Sequence, residues 1–308
     1  MKTLKTKKNN EDKMQKVFTA FIGLVILFVA AGKNEAADTT RKIIYFSNSA
    51  GYEHSTVKSV NGKPSVSDVA IAEACKKAGI TVVCTKDGSV FDKDISSYDA
   101  FVFQTSGELS KGTKGHPEWA LTEGGWQSLL AAVRNGKGFV GLHPTTDSNR
   151  VGGNIYENSP KEKITEFTKF IGAEFTIHGP SQETTISIVQ PSPLKWLDAK
   201  GKNFRTFDEW YVHKNFGEDI RVFAILETGG MRGEMYRRPP CPIVWGRAEG
   251  KGKVFYSAFG HYDDYWKDAD KITFVLQLIQ AATGDIKVDM TPNIKTITPN
   301  ATTLQSSK

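Results

Sequence analysis

Between Arg41 and Gly284 the chain alternates between two hydrophobic patterns. Lys42–Ser47, Ile80–Thr85, Ala100–Gln104 and Gly138–Leu142 are short runs that are apolar at nearly every position, the pattern of strands buried on both faces. Between them, Val69–Ala78 reads as a short helix stopped by Gly79. Trp126, Leu129, Leu130 and Val133 follow the i, i+3, i+4, i+7 spacing of an amphipathic helix, which Gly136 stops. Apolar strands joined by helices predict a doubly wound α/β domain with a mostly parallel sheet. The second half is more mixed: Thr184–Val189, Val222–Leu226 and Val254–Phe259 read as strands, and Ile272, Val275, Leu276 and Ile279 mark a last helix ending near Gly284. One domain over residues 41–284 with an elaborated second half is expected, followed by a Thr-, Pro- and Asn-rich surface tail over residues 285–308.

The start of the chain has a different character. Residues 1–37 carry seven lysines and three acids, and the lysines at 2, 5, 7, 8, 13 and 16 precede the apolar run Val17–Ala31. This is the outline of a signal peptide. Fifteen helical residues reach about 22 Å, short of a hydrocarbon layer of roughly 30 Å, which favours cleavage, after Gly32 or Ala37, over permanent anchoring. The expected location is therefore the periplasm or beyond, with membrane anchoring if the segment stays uncleaved; Met14 is an alternative start.

The net charge of +6 suggests a polyanion partner until it is divided along the chain: residues 1–37 contribute +4, and the rest, with 33 basic and 31 acidic side chains, only +2. No basic run is interleaved with aromatics, so no nucleic-acid partner is expected. Cys75, Cys84 and Cys241 have neither disulfide-scaffold nor zinc-finger spacing.

The candidate chemistry lies at strand ends. In an open parallel sheet, ligands bind beyond the carboxyl ends of the strands. His54 follows the first strand, His143 ends Gly141-Leu142-His143, and His261 ends Phe259-Gly260-His261. His178 follows Phe175-Thr176-Ile177, and Asp208-Glu209-Trp210-Tyr211 sets carboxylates beside aromatics, a combination suited to a polyol. Imidazole can serve as base, acid or metal ligand near neutral pH. His143, Glu209, His178 and His261 are the catalytic candidates. His143, His178 and His261 are also the candidate ligands of a divalent metal such as zinc, assembled from distant segments because no HExxH or HxH spacing occurs. Tyr52, His54, Ser106, Gly107, Trp210 and Tyr211 are the substrate-binding candidates, the amides of Gln104–Glu108 being free to meet a ligand oxygen. At the strand-to-helix turn where hydrolases place a nucleophile, this chain has His143.

Several segments, in order and spacing, resemble the ThuA-like, or trehalose-utilisation, family: Gly51-Tyr52-Glu53-His54-Ser55, Thr105-Ser106-Gly107, Gly136–His143, Phe175–His178, Asp208–Tyr211, Pro242–Trp245 and Gly252–Tyr256 through Gly260-His261. The resemblance spans residues 41–284. It implies a class I glutamine amidotransferase-like fold, flavodoxin-like in its α/β core, and a role in sugar catabolism involving disaccharides and 3-keto sugars. Amidotransfer is not implied, because His143 stands where that chemistry needs a cysteine.

The expected partner is thus a small carbohydrate. The leading reading is an exported enzyme that removes a proton next to a sugar carbonyl, using His143 or Glu209 as base and a metal, or protonated His178 or His261, as electrophile. The alternatives are a non-catalytic carbohydrate-binding module and a metal-dependent glycan hydrolase or esterase.

Overall fold

The apolar runs become the parallel half of a nine-stranded sheet in the computed structural model, which describes residues 40–301. The strands are β1 Lys42–Phe46, β2 Thr81–Thr85, β3 Ala100–Phe103, β4 Gly138–Leu142, β5 Glu174–His178, β6 Gln182–Ile188, β7 Asn203–Asp208, β8 Tyr211–Lys214, β9 Arg221–Leu226, β10 Cys241–Glu249 and β11 Gly252–Ser257. The sheet order is β2-β1-β3-β4-β11-β10-β9-β6-β7, and β5 pairs with β8 in a separate antiparallel ribbon. Pairing is parallel from β2 to β11 and antiparallel from β11 to β7.

Both faces of the parallel half are covered, which is why β1, β3 and β4 carry no polar alternation. Two glycines in β4 show the two layers. A Cβ at Gly138 would lie 2.6 Å from Ala282 in helix Ala269–Thr283, and one at Gly141 would lie 2.7 Å from Ile171 in helix Glu166–Ile171. Positions 138 and 141 differ in parity and so face opposite sides of the sheet. Phe139, on the same face as Gly141, packs edge-on against Phe170 at 4.8 Å. Helix Glu123–Arg134 joins that layer through Trp126 and starts where Thr122 Oγ1 accepts the Gly125 amide. Helix Val66–Lys77 starts at a Ser65/Asp68 capping box.

One expectation is corrected here. β2 is the edge strand, so it is only half covered and Cys84 is exposed. Residues 285–301 run over the surface and are pinned to it at a few buried positions. The Asn293 side chain accepts from the Val222 amide at 2.6 Å and donates to the Val222 carbonyl at 3.2 Å, while Val288, Ile294 and Ala301 are buried. The polar composition of that segment conceals these widely spaced apolar anchors. The expected signal peptide or anchor, residues 1–37, lies outside the described residues. Among the described residues no helix is long and apolar enough to cross a membrane.

The topology brings one end of the sheet to a single rim. β1, β3, β4 and β11 are parallel, so their carboxyl ends coincide. From β11 three further antiparallel neighbours separate β7, and four reversals restore the original direction. The end of β7, at Asp208, therefore meets the ends of β4 and β11 on one edge.

Candidate active site

His143 takes the elbow position after β4. Its φ is +35°, a conformation unusual for a non-glycine residue and costing on the order of 1–3 kcal/mol. Neighbouring hydrogen bonds hold it there. The Tyr256 hydroxyl donates to the His143 carbonyl at 2.7 Å, and Thr145 Oγ1 accepts from the Leu142 amide at 3.1 Å while donating to the Phe103 carbonyl at 2.7 Å. Gly141 leaves room for Ile171 and Thr145 beneath the turn.

On the side chain, His143 Nδ1 lies 2.7 Å from the Ala258 carbonyl and so carries the proton. In the neutral ring Nε2 then holds the lone pair, 3.2 Å from His261 Nδ1 and 3.6 Å from Glu209 Oε2. Glu209 Oε2 is also 3.0 Å from His261 Nδ1, while Oε1 is 3.1 Å from His178 Nδ1. His54 Nε2 lies 3.4 Å from the Tyr211 hydroxyl, and its ring packs edge-on against those of His143 and His261. His54, His143, Glu209 and His261 each present one ligand atom, all within 4.8 Å of one another.

Glu209 and His261 are set by one buried neighbour. Asp208 accepts from the Gly260 amide at 2.9 Å through Oδ2, and from the amides of His261 at 3.3 Å and Glu209 at 2.8 Å through Oδ1. It thus ties the end of β7 to the turn after β11. Burial raises its pKa, and the amides and nearby histidines oppose the rise. Burial alone would also raise Glu209, but the neighbouring His143 and His261 imidazoles outweigh it and hold the carboxyl well below the usual range. His54 is pushed down to about 3, first by burial and then by the charges of His143 and His261.

His213, behind the elbow, is fully buried and bonds through Nε2 to Thr146 Oγ1 at 3.1 Å. Burial, then the Arg238 and His143 charges, lower its pKa to about 3 from an ordinary 6.5. The unfolded chain takes up this proton below the ordinary pKa and the folded chain does not. This contribution is therefore fully present above pH 6.5 and declines as pH falls towards 3. The expected loss is about 1.4 kcal/mol per pH unit, and His213→Gln should flatten the fall by that amount in urea titrations between about pH 7.5 and about pH 5. Parallel pH profiles for the two proteins would contradict this.

The cluster opens into a cavity of about 330 Å³ lined by Tyr52, His54, Asp147, Phe175, His178, Glu209, Tyr211 and His261. A larger hollow of about 400 Å³ near Ser47, Lys86 and Trp119 lies beside β2, away from these histidines.

Most of the expected site residues thus converge, but four roles change. His143 is completely buried and sits behind the cavity wall, so the imidazoles that line the cavity are those of His54, His178 and His261, of which the His178 side chain, 44% exposed, is the most open. In the four-donor group His54 takes the place expected for His178, because β5 carries His178 to the mouth, on the other oxygen of Glu209. Trp210 is no sugar platform: it is fully buried, its indole donates to the Gln182 carbonyl at 2.8 Å, and it packs on Phe259. Glu209 and Tyr211 share the cavity side of the extended chain and Trp210 takes the other. Trp210→Ala should accordingly cost about 3–5 kcal/mol of stability, read from urea unfolding; a loss within experimental error would contradict this burial. Ser106 and Gly107 have no free amides to offer, since these donate to the carbonyls of Asn48 and Asp147 at 3.3 Å. Asp147 and Phe175 were not among the expected site residues; burial raises the Asp147 pKa against the pull of Arg150.

A search among curated proteins finds no match. Solved structures similar in fold include a ThuA-like protein from Bacteroides uniformis (18% identity, TM-score 0.53, 81% of this chain and 94% of that one). Another ThuA-like protein, from Parabacteroides merdae, gives 16% identity and a TM-score of 0.55 over 81% of this chain and 92% of that one. A β-galactosidase from Rahnella sp. R3 aligns at 16% identity and a TM-score of 0.47 over 80% of this chain and 32% of its own. The fold is the class I glutamine amidotransferase-like α/β fold implied by the sequence resemblance. Residues 42–280 match the family described as ThuA, trehalose utilisation, and the chain belongs to that family.

Proposed function

We propose that the protein is an exported enzyme of sugar catabolism that removes a proton beside the carbonyl of a keto-sugar or keto-glycoside. A 3-keto group acidifies the C2 hydrogen and leaves the C1 glycosidic oxygen β to the carbonyl. Removing C2–H as a proton leaves its electron pair in an enolate. That pair then forms a C1–C2 double bond and expels the aglycone with the C1–O pair, or the proton of the C2 hydroxyl passes to O3 and reprotonation at C3 leaves the carbonyl at C2.

The observation that carries this reading is the Glu209 carboxylate, ionised and shared between two sides. Outward, it orients His178, whose Nδ1 faces Glu209 Oε1 at 3.1 Å and the Gly179 carbonyl at 3.0 Å. Both partners are acceptors, so Nδ1 holds the proton and Nε2 is the basic nitrogen, the arrangement of a carboxylate-oriented general base. Inward, Glu209 joins His54, His143 and His261. Three imidazole nitrogens and one carboxylate oxygen suit zinc or a similar divalent ion, and the backbone bond of His143 Nδ1 is the outer contact that fixes a ligating imidazole. A bound ion would supply positive charge for a carbonyl oxygen. Tyr211 and Phe175 wall the cavity, their rings 4.0 Å apart.

Incubation with a panel of 3-keto glycosides, followed by NMR, tests the reading: aglycone release or carbonyl migration is expected. Tight binding with no conversion of any member would favour a carbohydrate-binding module. A glycan hydrolase or esterase would instead cleave substrates that lack a keto group. Export rests on the lysine-rich start and short apolar run of residues 1–37, and is tested by N-terminal sequencing of the envelope fraction; a cytoplasmic product retaining Met1 or Met14 would overturn it.

A further inference from the structure

The hollow of about 400 Å³ beside β2 shares no lining residue with the histidine cavity. We propose that it is a separate binding site for a small zwitterion, a free α-amino acid with an apolar side chain. The proposal is independent of the chemistry assigned to the histidines.

Three observations carry it. The first is an unused polar group. Ser47, directly after β1, lines the hollow and is 0% exposed, yet its hydroxyl has no hydrogen-bond partner. Leaving a buried hydroxyl unpaired costs about 1–3 kcal/mol, which a ligand oxygen would offset.

The second is the balance of charge. Lys63 and Lys86 share the lining with Asp68 and Asp87. The Lys86 ammonium is held in place: it donates to the carbonyls of Ser47 at 3.2 Å and Val57 at 2.6 Å, and lies 3.6 Å from Glu53. Lys63 makes no ion pair among the described residues. Each aspartate is oriented by a neighbouring amide, Asp68 Oδ2 by Ser65 and Asp87 Oδ1 by Ser89, both at 2.9 Å, and each keeps lone pairs for a further donor. A ligand with one charge of each sign matches this lining, whereas a plain anion or cation would meet like charge.

The third is an aromatic wall. Trp119 stacks one face on His116 at 3.7 Å, and its carbonyl accepts from the Asn48 side chain at 3.0 Å. The same Asn48 amide donates to the Lys86 carbonyl at 2.9 Å, so one side chain at the end of β1 ties together the loops that form two walls. The indole and Pro64 give an apolar body a surface to pack on, and the volume lies within the roughly 300–1,000 Å³ of small-molecule sites.

Cys84 supplies the readout. It lines the hollow and is exposed, whereas Cys75 and Cys241 are buried, so its alkylation by N-ethylmaleimide reports occupancy in the full chain. At least one of L-leucine, L-phenylalanine and L-tryptophan should slow that alkylation about tenfold or more at saturation. Phenethylamine and 3-phenylpropionate, which each keep one of the two charges of phenylalanine, should bind about tenfold more weakly than the best amino acid in titration calorimetry. Ser47→Ala removes a hydroxyl that makes no bond within the fold, so it should melt as the wild type does while losing affinity about tenfold; Trp119→Ala should lose affinity by a similar factor. No protection by any of the three amino acids, or equal binding of the one-charge analogues, would overturn the zwitterion. Protection by glucose or inorganic phosphate in place of the amino acids would overturn it as well. Wild-type affinity in both Ser47→Ala and Trp119→Ala would overturn the location.

Discussion

His178→Ala is expected to lower turnover of a 3-keto glycoside by about 10²- to 10⁴-fold, the usual contribution of a positioned base, with little change in substrate affinity. The physical reason is its double constraint. Nδ1 is committed to the Glu209 carboxylate and the Gly179 carbonyl, and the ring lines the cavity, so in the proposed reaction Nε2 is the nitrogen left to take the proton. His178→Gln keeps a polar side chain without a titrating nitrogen and should show the same loss. The readout that separates catalysis from folding is binding: both variants should still bind the 3-keto glycoside with an affinity close to that of the wild type while turnover falls. Wild-type turnover by His178→Ala would show that the proton leaves by another route.

Removing a member of the inner cluster should have a different and equally large effect. Untagged protein is expected to carry about one divalent ion per chain, and His143→Ala and Glu209→Ala should each weaken that ion by more than the 10–100-fold typical of losing an outer contact. Chelation should abolish turnover, and a divalent ion should restore it. Because His178 lies outside the four-donor group, His178→Ala should lose turnover yet keep the ion, whereas Glu209→Ala should lose both. Full activity in metal-free protein would contradict the proposed electrophile. An ion content unchanged by either cluster substitution would contradict its location.

The parallel half of the fold was legible because burial on both faces leaves a local mark: Ile43, Ile44, Tyr45 and Phe46 are all fully buried, as are all four residues of β3. The antiparallel extension was harder. β7 alternates exposed and half-covered residues, and β10 opens Cys241-Pro242, where proline argues against a strand. The rim was legible for the same reason as the sheet, since Gly141-Leu142-His143 and Phe259-Gly260-His261 end buried strands whose direction parallel pairing sets. What the sequence did not disclose is the placement of the β5–β8 ribbon, a non-local pairing of residues 174–178 with 211–214 that decides His178 is at the mouth and leaves His54 to complete the cluster. The roles of Trp210 and Tyr211 were separable in principle. Period-two alternation puts Glu209 and Tyr211 on one side and Trp210 on the other, and adjacent aromatics cannot both face one ligand from an extended chain. Asp147 and Arg150 carried no such signal, because the short helical turn His143–Asp147 and the loop after it bring them to the cavity.

The central claim is that this site takes a proton from the carbon beside a sugar carbonyl. Solvent deuterium entering a 3-keto glycoside tests that step without requiring the bond to the aglycone to break. The account predicts that the wild-type protein places deuterium at C2 and that exchange falls by about 10²- to 10⁴-fold in His178→Ala. No enzyme-dependent exchange at C2 of any 3-keto glycoside that the protein binds would contradict it.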